Sequence, residues 1–426
     1  MPIANTVPVP ALGPTGLDGK LSEEVLQIKD QANRFARNVM RPLAADLDRM
    51  PARKVAEKGS PIYDFFAEVK NIGLVDMMAI GGLDPSEQQA ILPALFEELG
   101  WGDCGLGLLT AARDFALMAA QATRNQDVIQ RIGDGFGCFI VTQPDRGCDA
   151  IDHEGTEVHE GKRQSVGNLT IKRDGTDFII NGQSSAWISG APIATCGILY
   201  ATCDYGDGFY DQRGALNFAG LLVPFDEPGV SKGLPLEKLG QRSLPQGEVF
   251  FDSVRVPKNF VVAENEQAHV TLDAPLNFAK LLVAMAFVGV ARAAYDHVLA
   301  YVHERRQGGV PLIMHQNMRA RVFNIWRKLE ASRGMVHRAV SYNFGPYGPH
   351  TLGSLTAKIH STETALDVTT EAIRIFGGNG LTHEYPLEKL VRDCQASLIE
   401  DGENYMLALI GGGYLSKAHK AIYSAI

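Results

Sequence analysis

The sequence predicts an α+β protein in which a β-rich middle part is flanked by two helical parts. Apolar residues recur at helical spacing from Leu21 to about Phe136, and again from Pro275 nearly to the C-terminus. Between these regions lie short β-rich runs such as FIVTQP, DFIING and GEVFFDSVRVP, each bounded by Gly, Asn, Asp or Pro. The order of these patterns predicts an N-terminal α-helical domain, a middle antiparallel β domain and a C-terminal helical bundle.

The predicted boundaries divide the chain into an N-terminal arm at 1–20, a helical domain at 21–136, a β domain at 137–262 and a C-terminal helical domain at 263–426. Ser22 is a suitable N-cap for the first helix. Further helices are expected at Ile62–Ile72, Ser86–Leu99, Gly105–Thr123, Ala279–Arg305, Gln316–Ala339, Gly353–Phe376 and Pro386–Ile399.

Composition limits the functions that this chain can have. A net charge of -9 without a basic run argues against a nucleic-acid partner. No apolar run approaches the roughly 18 residues needed to span a bilayer, and the Pro-rich arm lacks the pattern of a secretion signal. The six cysteines have no metal-ligand spacing, so no metal site is predicted, and reduced thiols in a cytoplasmic protein are expected.

The stretch at 374–404 carries the strongest chemical signal. Gly377, Gly378 and Gly380 form a turn at the end of a predicted helix, where free backbone N–H groups can approach an anionic ligand. An acidic cluster, Glu400–Glu403, follows the next predicted helix, and a carboxylate there can serve as a general base. The alternative is an ordinary helix end with a glycine stop and solvated acids.

Four motifs resemble those of the acyl-CoA dehydrogenase family of flavoproteins and occur in the family's order. They are VTQP with a following CD pair, NGQ with WISG, GQRS with VRVP, and FGGNG with EYPLEKLVRD (Val141–Pro144 with Cys148–Asp149, Asn181–Gly190, Gly240–Pro257, and Phe376–Asp393). The resemblance extends from about Leu21 to about Lys420. It implies the acyl-CoA dehydrogenase fold with a C-terminal four-helix bundle, FAD as cofactor and an acyl-CoA as substrate.

By this resemblance, three residues of the β part contact the flavin ring. Trp187 stacks on the isoalloxazine, the Ser189 hydroxyl bonds its N5 edge, and Thr142 contacts its pyrimidine side. The alternatives are a core aromatic for Trp187, the commoner position for a tryptophan, and an ordinary strand residue for Thr142.

The resemblance also assigns residues to the other end of FAD. Arg305 would bind the pyrophosphate, for which a guanidinium offers a planar and permanently charged fork. Its alternative is a solvated arginine at a helix C-terminus. Gln316 would serve the adenosine end, and Gly377 and Gly378 would donate backbone N–H groups. In the family these contacts cross a subunit boundary, which implies a homodimer at least, and a homotetramer (a dimer of dimers) as the usual state.

The family's catalytic glutamate corresponds to Asp401, which is therefore the expected base that removes the substrate α-proton while the β-hydrogen leaves as hydride to flavin N5. Glu400 and Glu403 are alternatives if the loop is registered differently. Other branches of the family place the base on the long helix, at a position near Ala279 in this chain. An alanine cannot serve as a base. An aspartate is one methylene shorter than a glutamate, so the loop or the substrate must shift.

Lys280 is at the position of a family arginine near the substrate, and Arg113 lies on a helix expected to line the substrate pocket. A helix-surface ion pair with Asp114 is the alternative for Arg113. An aspartate base resembles that of dehydrogenases for cyclic acyl-CoA substrates, so a cyclic or branched acyl group is favoured over a straight chain. An electron-transfer flavoprotein is the expected acceptor. The alternatives are a flavin oxidase resembling nitroalkane oxidase and a non-catalytic family member.

Overall fold

The computed structural model describes Leu17 and residues 21–148, 165–346 and 348–423, so most of the predicted arm and Asp149 of the first motif lie outside the described residues. A π-helical turn at Ala36–Met40 joins the first two helices. The helices of the N-terminal part are α1 (Glu23–Phe35), α2 (Arg41–Arg49), α3 (Ala52–Ala56), α4 (Pro61–Ile72), α5 (Met77–Gly81), α6 (Pro85–Gly102), α7 (Cys104–Ala112), α8 (Asp114–Ala122) and α9 (Gln126–Ile132).

Capping side chains set several of these helix ends. The Ser22 hydroxyl accepts the Val25 N–H at 3.3 Å, as its position in the sequence predicts. Asp84 and Glu87 form a reciprocal capping box at the start of α6. The single helix expected over Gly105–Thr123 is divided in two at Arg113, where the chain turns from α7 into α8.

The middle part forms a sheet of eight strands in the order β10-β6-β5-β2-β3-β9-β7, with β1 paired to β5 beside β2. Two short strands, β4 and β8, form a separate pair. The strands are β1 (Gly137–Ile140), β2 (Thr170–Asp174), β3 (Asp177–Gln183), β4 (Ile188–Ser189), β5 (Cys196–Asp204), β6 (Phe218–Pro224), β7 (Val230–Lys232), β8 (Gln246–Gly247), β9 (Val249–Val256) and β10 (Val261–Glu264).

The expectation of a purely antiparallel sheet is wrong, because β5 runs parallel to both β1 and β2. The first half of β5 pairs with β1, so that Gly137 faces Cys196, and its second half pairs with β2, so that Thr170 faces Thr202. Parallel neighbours require long connections, and both β1 and β2 are separated from β5 by other elements. The prediction treated successive strands as hairpins and so could not detect this arrangement.

The C-terminal part consists of α10 (Asn265–Glu304), α11 (Gln316–Asn343), α12 (Thr351–Phe376), α13 (Leu387–Ser397) and α14 (Asn404–Tyr423), with a two-stranded ribbon of β11 (Arg306–Gln307) and β12 (Val310–Pro311) after α10. Helix α10 begins well before the expected Ala279 and contains Pro275. A proline removes the helical bond to the carbonyl four residues earlier. That carbonyl, of Thr271, accepts the Tyr200 hydroxyl at 3.3 Å instead.

Helix α10 is long and apolar enough to cross a membrane by length and composition alone. However, 67% of its most apolar stretch is buried inside the protein, as in the core helix of a helical bundle. Its side chains pack on those of α6, α11 and α12 in one large core, while its first turns join a second core beneath the sheet.

A buried network of charges ties α1, α6, α10 and α11 together. Arg292 lies 3.1 Å from Glu97 and 2.7 Å from Glu98. Arg333 binds Glu97 at 2.8 Å, and Lys29 binds Glu98 at 2.8 Å. Burial alone would raise the pKa of Glu97, but the charges of Arg333 and Arg292 outweigh it and hold that pKa well below its usual range. Both carboxylates therefore stay ionised, and each depends on its cations.

Arg292→Met should lower the free energy of unfolding by about 3–5 kcal/mol, because it leaves two buried carboxylates short of a cation. Arg34→Met is the matched control: Arg34 pairs with Asp30 at 2.5 Å, but both side chains are about two-thirds exposed, so its loss should cost less than about 1 kcal/mol. Urea unfolding measures both. Equal losses would show that the buried network does not stabilise the bundle.

Candidate active site

The predicted base lies on a short loop, residues 398–404, between α13 and α14. The Asn404 N–H donates to the Leu398 carbonyl at 2.9 Å and closes the loop. Asp401 has a φ of 51° and Gly402 a φ of 107°, so two successive residues adopt positive φ values. This conformation is uncommon for a residue with a side chain, although aspartate tolerates it better than most. Asp401 is exposed, so its side chain is accessible from outside the core.

The positive charges of two buried lysines act on Asp401. Lys280 is on α10 and Lys358 is on α12, and both are almost completely buried. Although Asp401 is accessible, desolvation by the surrounding protein raises its pKa, and the charges of Lys280 and Lys358 lower this pKa only in part. Burial in turn lowers the pKa of each lysine to about 8, although the charge of Asp401 raises both. A carboxylate with a raised pKa is suited to accept a proton near neutral pH.

Glu400, beside Asp401, has an environment of its own. The Gln241 amide donates to its carboxylate at 2.8 Å. Burial and then the neighbouring charge of Asp401 raise the pKa of Glu400 to about 7, although Gln241, Lys358 and Lys238 lower it. Two adjacent carboxylates titrate as a pair, so a shared proton belongs to the pair rather than to one residue. Because the Gln241 amide occupies Glu400 and Asp401 is the more exposed of the two, Asp401 is the more accessible member of the pair.

The signature EKL-RD residues hold α13 in place by buried ion pairs. The Lys389 ammonium lies 2.5 Å from Asp103, which is the N-cap of α7, and 2.6 Å from Asp393. The Ser243 hydroxyl donates to Asp103 at 2.5 Å, and the Gln241 N–H donates to Asp393 at 2.5 Å. The GQRS segment, α13 and the α6–α7 turn therefore meet at one point, and α13 leads directly into the Asp401 loop.

Arg392 of the same signature binds Asp48 of α2 at 2.6 Å and Glu388 at 2.7 Å. A side chain at Gly240 would lie 2.2 Å from the Arg392 carbonyl, so only glycine allows this close approach. Both motifs thus orient the loop that carries the base.

The three residues expected near the flavin ring lie close together. The Thr142 and Ser185 hydroxyls are 2.6 Å apart, and the Trp187 N–H donates to Ser185 at 3.3 Å. The Gln246 amide donates to the Trp187 carbonyl at 3.2 Å and to the Ser189 hydroxyl at 3.3 Å. Trp187 is 61% exposed, which rules out the alternative of a core aromatic. The Trp187 bonds are made by its backbone N–H and carbonyl, and an exposed indole next to these hydroxyl-bearing residues fits an aromatic ring with polar edges.

The residues expected at the other end of FAD form a second group. Arg305 ends α10, Gln316 begins α11, and both are exposed. The Gly377–Gly378 turn lies beside this end of α10, since Tyr301 stacks on Phe376 with ring centres 3.8 Å apart. At 1.5 Å per residue, Arg305 is about 37 Å along α10 from Lys280. Arg305 and Lys280 therefore lie at well-separated places on one chain.

Arg113 forms an ion pair with Asp114, which was the alternative to its predicted role in substrate binding. Its guanidinium lies 2.9 Å from Asp114, but both side chains are largely buried rather than on the surface. Burial raises the pKa of Asp114, and the charge of Arg113 lowers it in part. Because Asp114 already occupies Arg113, a substrate would have to compete with this ion pair.

An apolar cavity of about 570 Å³ lies between α5, α6, α8, the sheet and α10, and aromatic side chains form much of its wall. The predicted site residues are not among those that line it. Asn277 lines the cavity and accepts the Ser354 hydroxyl at 3.0 Å. Asn277 and Ser354 lie one helical turn before Lys280 and Lys358, respectively, so the cavity approaches the lysines that face Asp401.

Lys358 is a functional candidate that sequence reasoning missed. It is completely buried and donates to the Gly402 carbonyl at 2.6 Å and to the Asn404 side chain at 2.8 Å. The available signal was its place on α12, since Ser354, Thr362 and Thr369 share its side of the helix at helical spacing. A lysine among small residues on a buried helix face requires a partner from elsewhere in the chain.

Comparison with known proteins identifies the class. Residues 138–254 match the model of the acyl-CoA dehydrogenase middle domain, and residues 268–413 match that of the C-terminal domain. Cyclohexane-1-carbonyl-CoA dehydrogenase of Geobacter metallireducens is 26% identical over 91% of this chain and 96% of its own. Benzylmalonyl-CoA dehydrogenase of Aromatoleum aromaticum is 28% identical over 92% of this chain and 98% of its own.

Solved structures show the same fold. Butyryl-CoA dehydrogenase from Megasphaera elsdenii superimposes with a TM-score of 0.77 at 22% identity, covering 94% of this chain and 100% of that chain. Glutaryl-CoA dehydrogenase from Mycobacterium smegmatis superimposes equally well, covering 95% of this chain and 97% of that chain. These matches confirm the predicted α+β fold class, with a mixed sheet in place of the antiparallel one.

The chain belongs to the acyl-CoA dehydrogenase family, as its motifs predicted. Members of this family are FAD-dependent oxidoreductases, and one structural neighbour was solved in complex with FADH2. The exposed Trp187 among the Thr142, Ser185 and Ser189 hydroxyls fits that cofactor.

Proposed function

We propose that this protein dehydrogenates an acyl-CoA thioester and that Asp401 is its catalytic base. The observation that carries the proposal is the position of Asp401, an accessible carboxylate with a raised pKa that faces two buried lysines. Glu400 is the less suitable base because the Gln241 amide already occupies its carboxylate and because it is less exposed than Asp401.

In this mechanism the Asp401 carboxylate takes the α-proton of the thioester, and the Cα–H electron pair forms the new Cα–Cβ double bond. The bound FAD supplies the acceptor for the β-hydrogen, which leaves with its electron pair. Asp401 becomes a neutral acid, so the attraction of Lys280 and Lys358 for it is lost in this step. Thr142, Trp187 and Ser189 bind and orient the ring of the cofactor beside the substrate.

A cyclic or branched acyl group is favoured over a straight chain. Two relatives are named for cyclohexane-1-carbonyl-CoA and benzylmalonyl-CoA, both of which carry a ring. The aromatic-walled cavity that approaches Lys280 offers apolar space for such a group. The shorter reach of an aspartate also suits a base that must approach a bulky ring at a particular carbon.

The proposed assembly is a homotetramer whose FAD sites are shared between copies. Its support is the exposure of both groups, with Trp187 in one and Arg305, Gln316 and Gly377–Gly378 in the other, which leaves each group accessible to a second copy of the chain. An electron-transfer flavoprotein is the proposed acceptor, and the cytoplasm is the proposed location.

The first test of the function is reduction of the flavin by thioesters without oxygen. Cyclohexanecarboxyl-CoA and benzylmalonyl-CoA should bleach the visible flavin band faster than butyryl-CoA. A flavin that no thioester reduces, but that a nitroalkane reduces, would overturn the proposal in favour of the oxidase alternative. A chain that binds no FAD would indicate the non-catalytic alternative. Reoxidation by an electron-transfer flavoprotein and by oxygen should be compared.

Asp401→Asn should retain FAD and lose at least about 1,000-fold in the rate of flavin reduction, because an amide cannot take the proton. Glu400→Gln is the matched control and should stay active, since an amide resembles the protonated acid that Glu400 forms below pH 7. The wild-type rate should fall as the pH drops below the raised pKa of Asp401, because only the ionised carboxylate is a base. Loss of activity in Glu400→Gln with an active Asp401→Asn would transfer the role to Glu400.

Co-expression of two inactive variants tests the shared FAD site. Trp187→Ala and Arg305→Ala should each weaken FAD binding in a homo-oligomer. In a mixed pair of copies with a shared site, one site carries both substitutions and the other carries neither. Purified mixed oligomers should therefore regain tight FAD at half of their sites. No recovery would mean that both residues contact the same cofactor from one chain.

A further inference from the structure

The loop that carries Asp401 is attached to α12 by a single buried lysine. The Lys358 ammonium donates to the Gly402 carbonyl at 2.6 Å and to the Asn404 side-chain oxygen at 2.8 Å. The Asn404 amide in turn donates to the Thr362 hydroxyl at 3.1 Å, one turn further along α12. Lys358 and Thr362 thus hold the C-terminal end of the loop to one face of the helix.

This attachment acts next to the strained part of the loop. Asp401 and Gly402 both have positive φ values, and for a non-glycine residue this conformation persists only where the surroundings enforce it. The carbonyl that Lys358 binds belongs to Gly402, which directly follows Asp401. A bond at that carbonyl fixes the plane of the Gly402–Glu403 peptide, one residue beyond Asp401, and therefore limits how far the backbone that carries Asp401 can move.

We propose that Lys358 is a positioning residue that holds the 398–404 loop against α12 and thereby places the Asp401 carboxylate for proton removal. The placement of a base matters because a displacement of about 1 Å costs a reaction about 100-fold in rate. The proposal rests on the function proposed above for Asp401.

The charges around Lys358 are consistent with this role. Burial lowers the pKa of Lys358 to about 8, and the charges of Glu400, Asp401, Cys148 and Glu403 raise it. Lys280, on α10, is a second cation near Lys358, and the two ammonium groups repel each other. Because a pKa of about 8 lies above neutral pH, Lys358 is mostly protonated there and is a full cation opposite Asp401. Replacing it should raise the pKa of Asp401.

Lys358→Met and Lys358→Arg test the proposal in the FAD-bound enzyme. In Lys358→Met, hydrogen exchange of the backbone amides at 398–405 should quicken at least tenfold while exchange in α10 and α11 stays the same. The rate of flavin reduction by a thioester should fall about 100-fold, and the acid limb of its pH profile should move to higher pH. Lys358→Arg, which keeps the charge and two donors, should recover part of both losses.

Lys328→Met is the control and should change neither measurement, since Lys328 of α11 forms a partly exposed pair with Asp367 of α12. If Lys358→Met does not fold, Asn404→Leu removes one acceptor of Lys358 and the bond to Thr362, and should loosen the same amides. Unchanged loop exchange in both variants would overturn the proposal. Faster loop exchange with an unchanged reduction rate and pH profile would overturn it as well, by showing that the loop does not position the base. A fully active Asp401→Asn would instead refute the function assigned to Asp401.

Discussion

The arrangement of the candidate active site depends on one buried cation, Lys389, held between two carboxylates. Asp103 begins α7, Asp393 lies on α13, and Lys389 touches both within 2.6 Å. Charges taken out of water are costly unless they are paired in good geometry, so these segments have one well-satisfied relative position. Because Ser243 and Gln241 also bind the two carboxylates, the same point fixes the β part against both helical parts.

The second network, around Glu97 and Glu98, acts at the other side of α10. It fixes α10 against α1, α6 and α11, while apolar side chains fix α10 against α12. The charges of Lys280 on α10 and Lys358 on α12 act on Asp401, so the packing of these two helices sets the electrostatic environment of the proposed base. The stability of the bundle and the chemistry of the site therefore depend on the same contacts.

The family's signature residues divide into two kinds. Trp187 and Asp401 are exposed and accessible to ligands. Lys389, Asp393 and Gln241 are buried or nearly so, and their hydrogen-bonding groups are directed at one another. The second kind supports the proposed chemistry without touching a substrate. This explains why the charged residues of the motif lie on α13, which leads into the Asp401 loop, rather than in the loop itself.

The predictions were least accurate where the structure of an element depends on a partner far away in the chain. The sheet was expected to be antiparallel, yet β5 is parallel to β1 and β2. The local sequence pattern predicts a strand but does not identify the strand with which it pairs. Helix α10 was expected to begin only at Ala279, but it begins at Asn265 and continues through Pro275. The Tyr200 hydroxyl compensates for this proline from a distant part of the chain, which the local sequence does not reveal.

The sequence by itself determined the family, the α-β-α order and the segment that holds the proposed base. Each of these is encoded locally, in hydrophobic periodicity, glycine placement and motifs of a few residues. Only the tertiary structure decided that Lys280 and Lys358 face Asp401, that Glu400 binds Gln241, and that Lys358 holds the loop. The pKa of a carboxylate and the position of a loop depend on burial and on charges brought together from distant segments, and local sequence carries no measure of either.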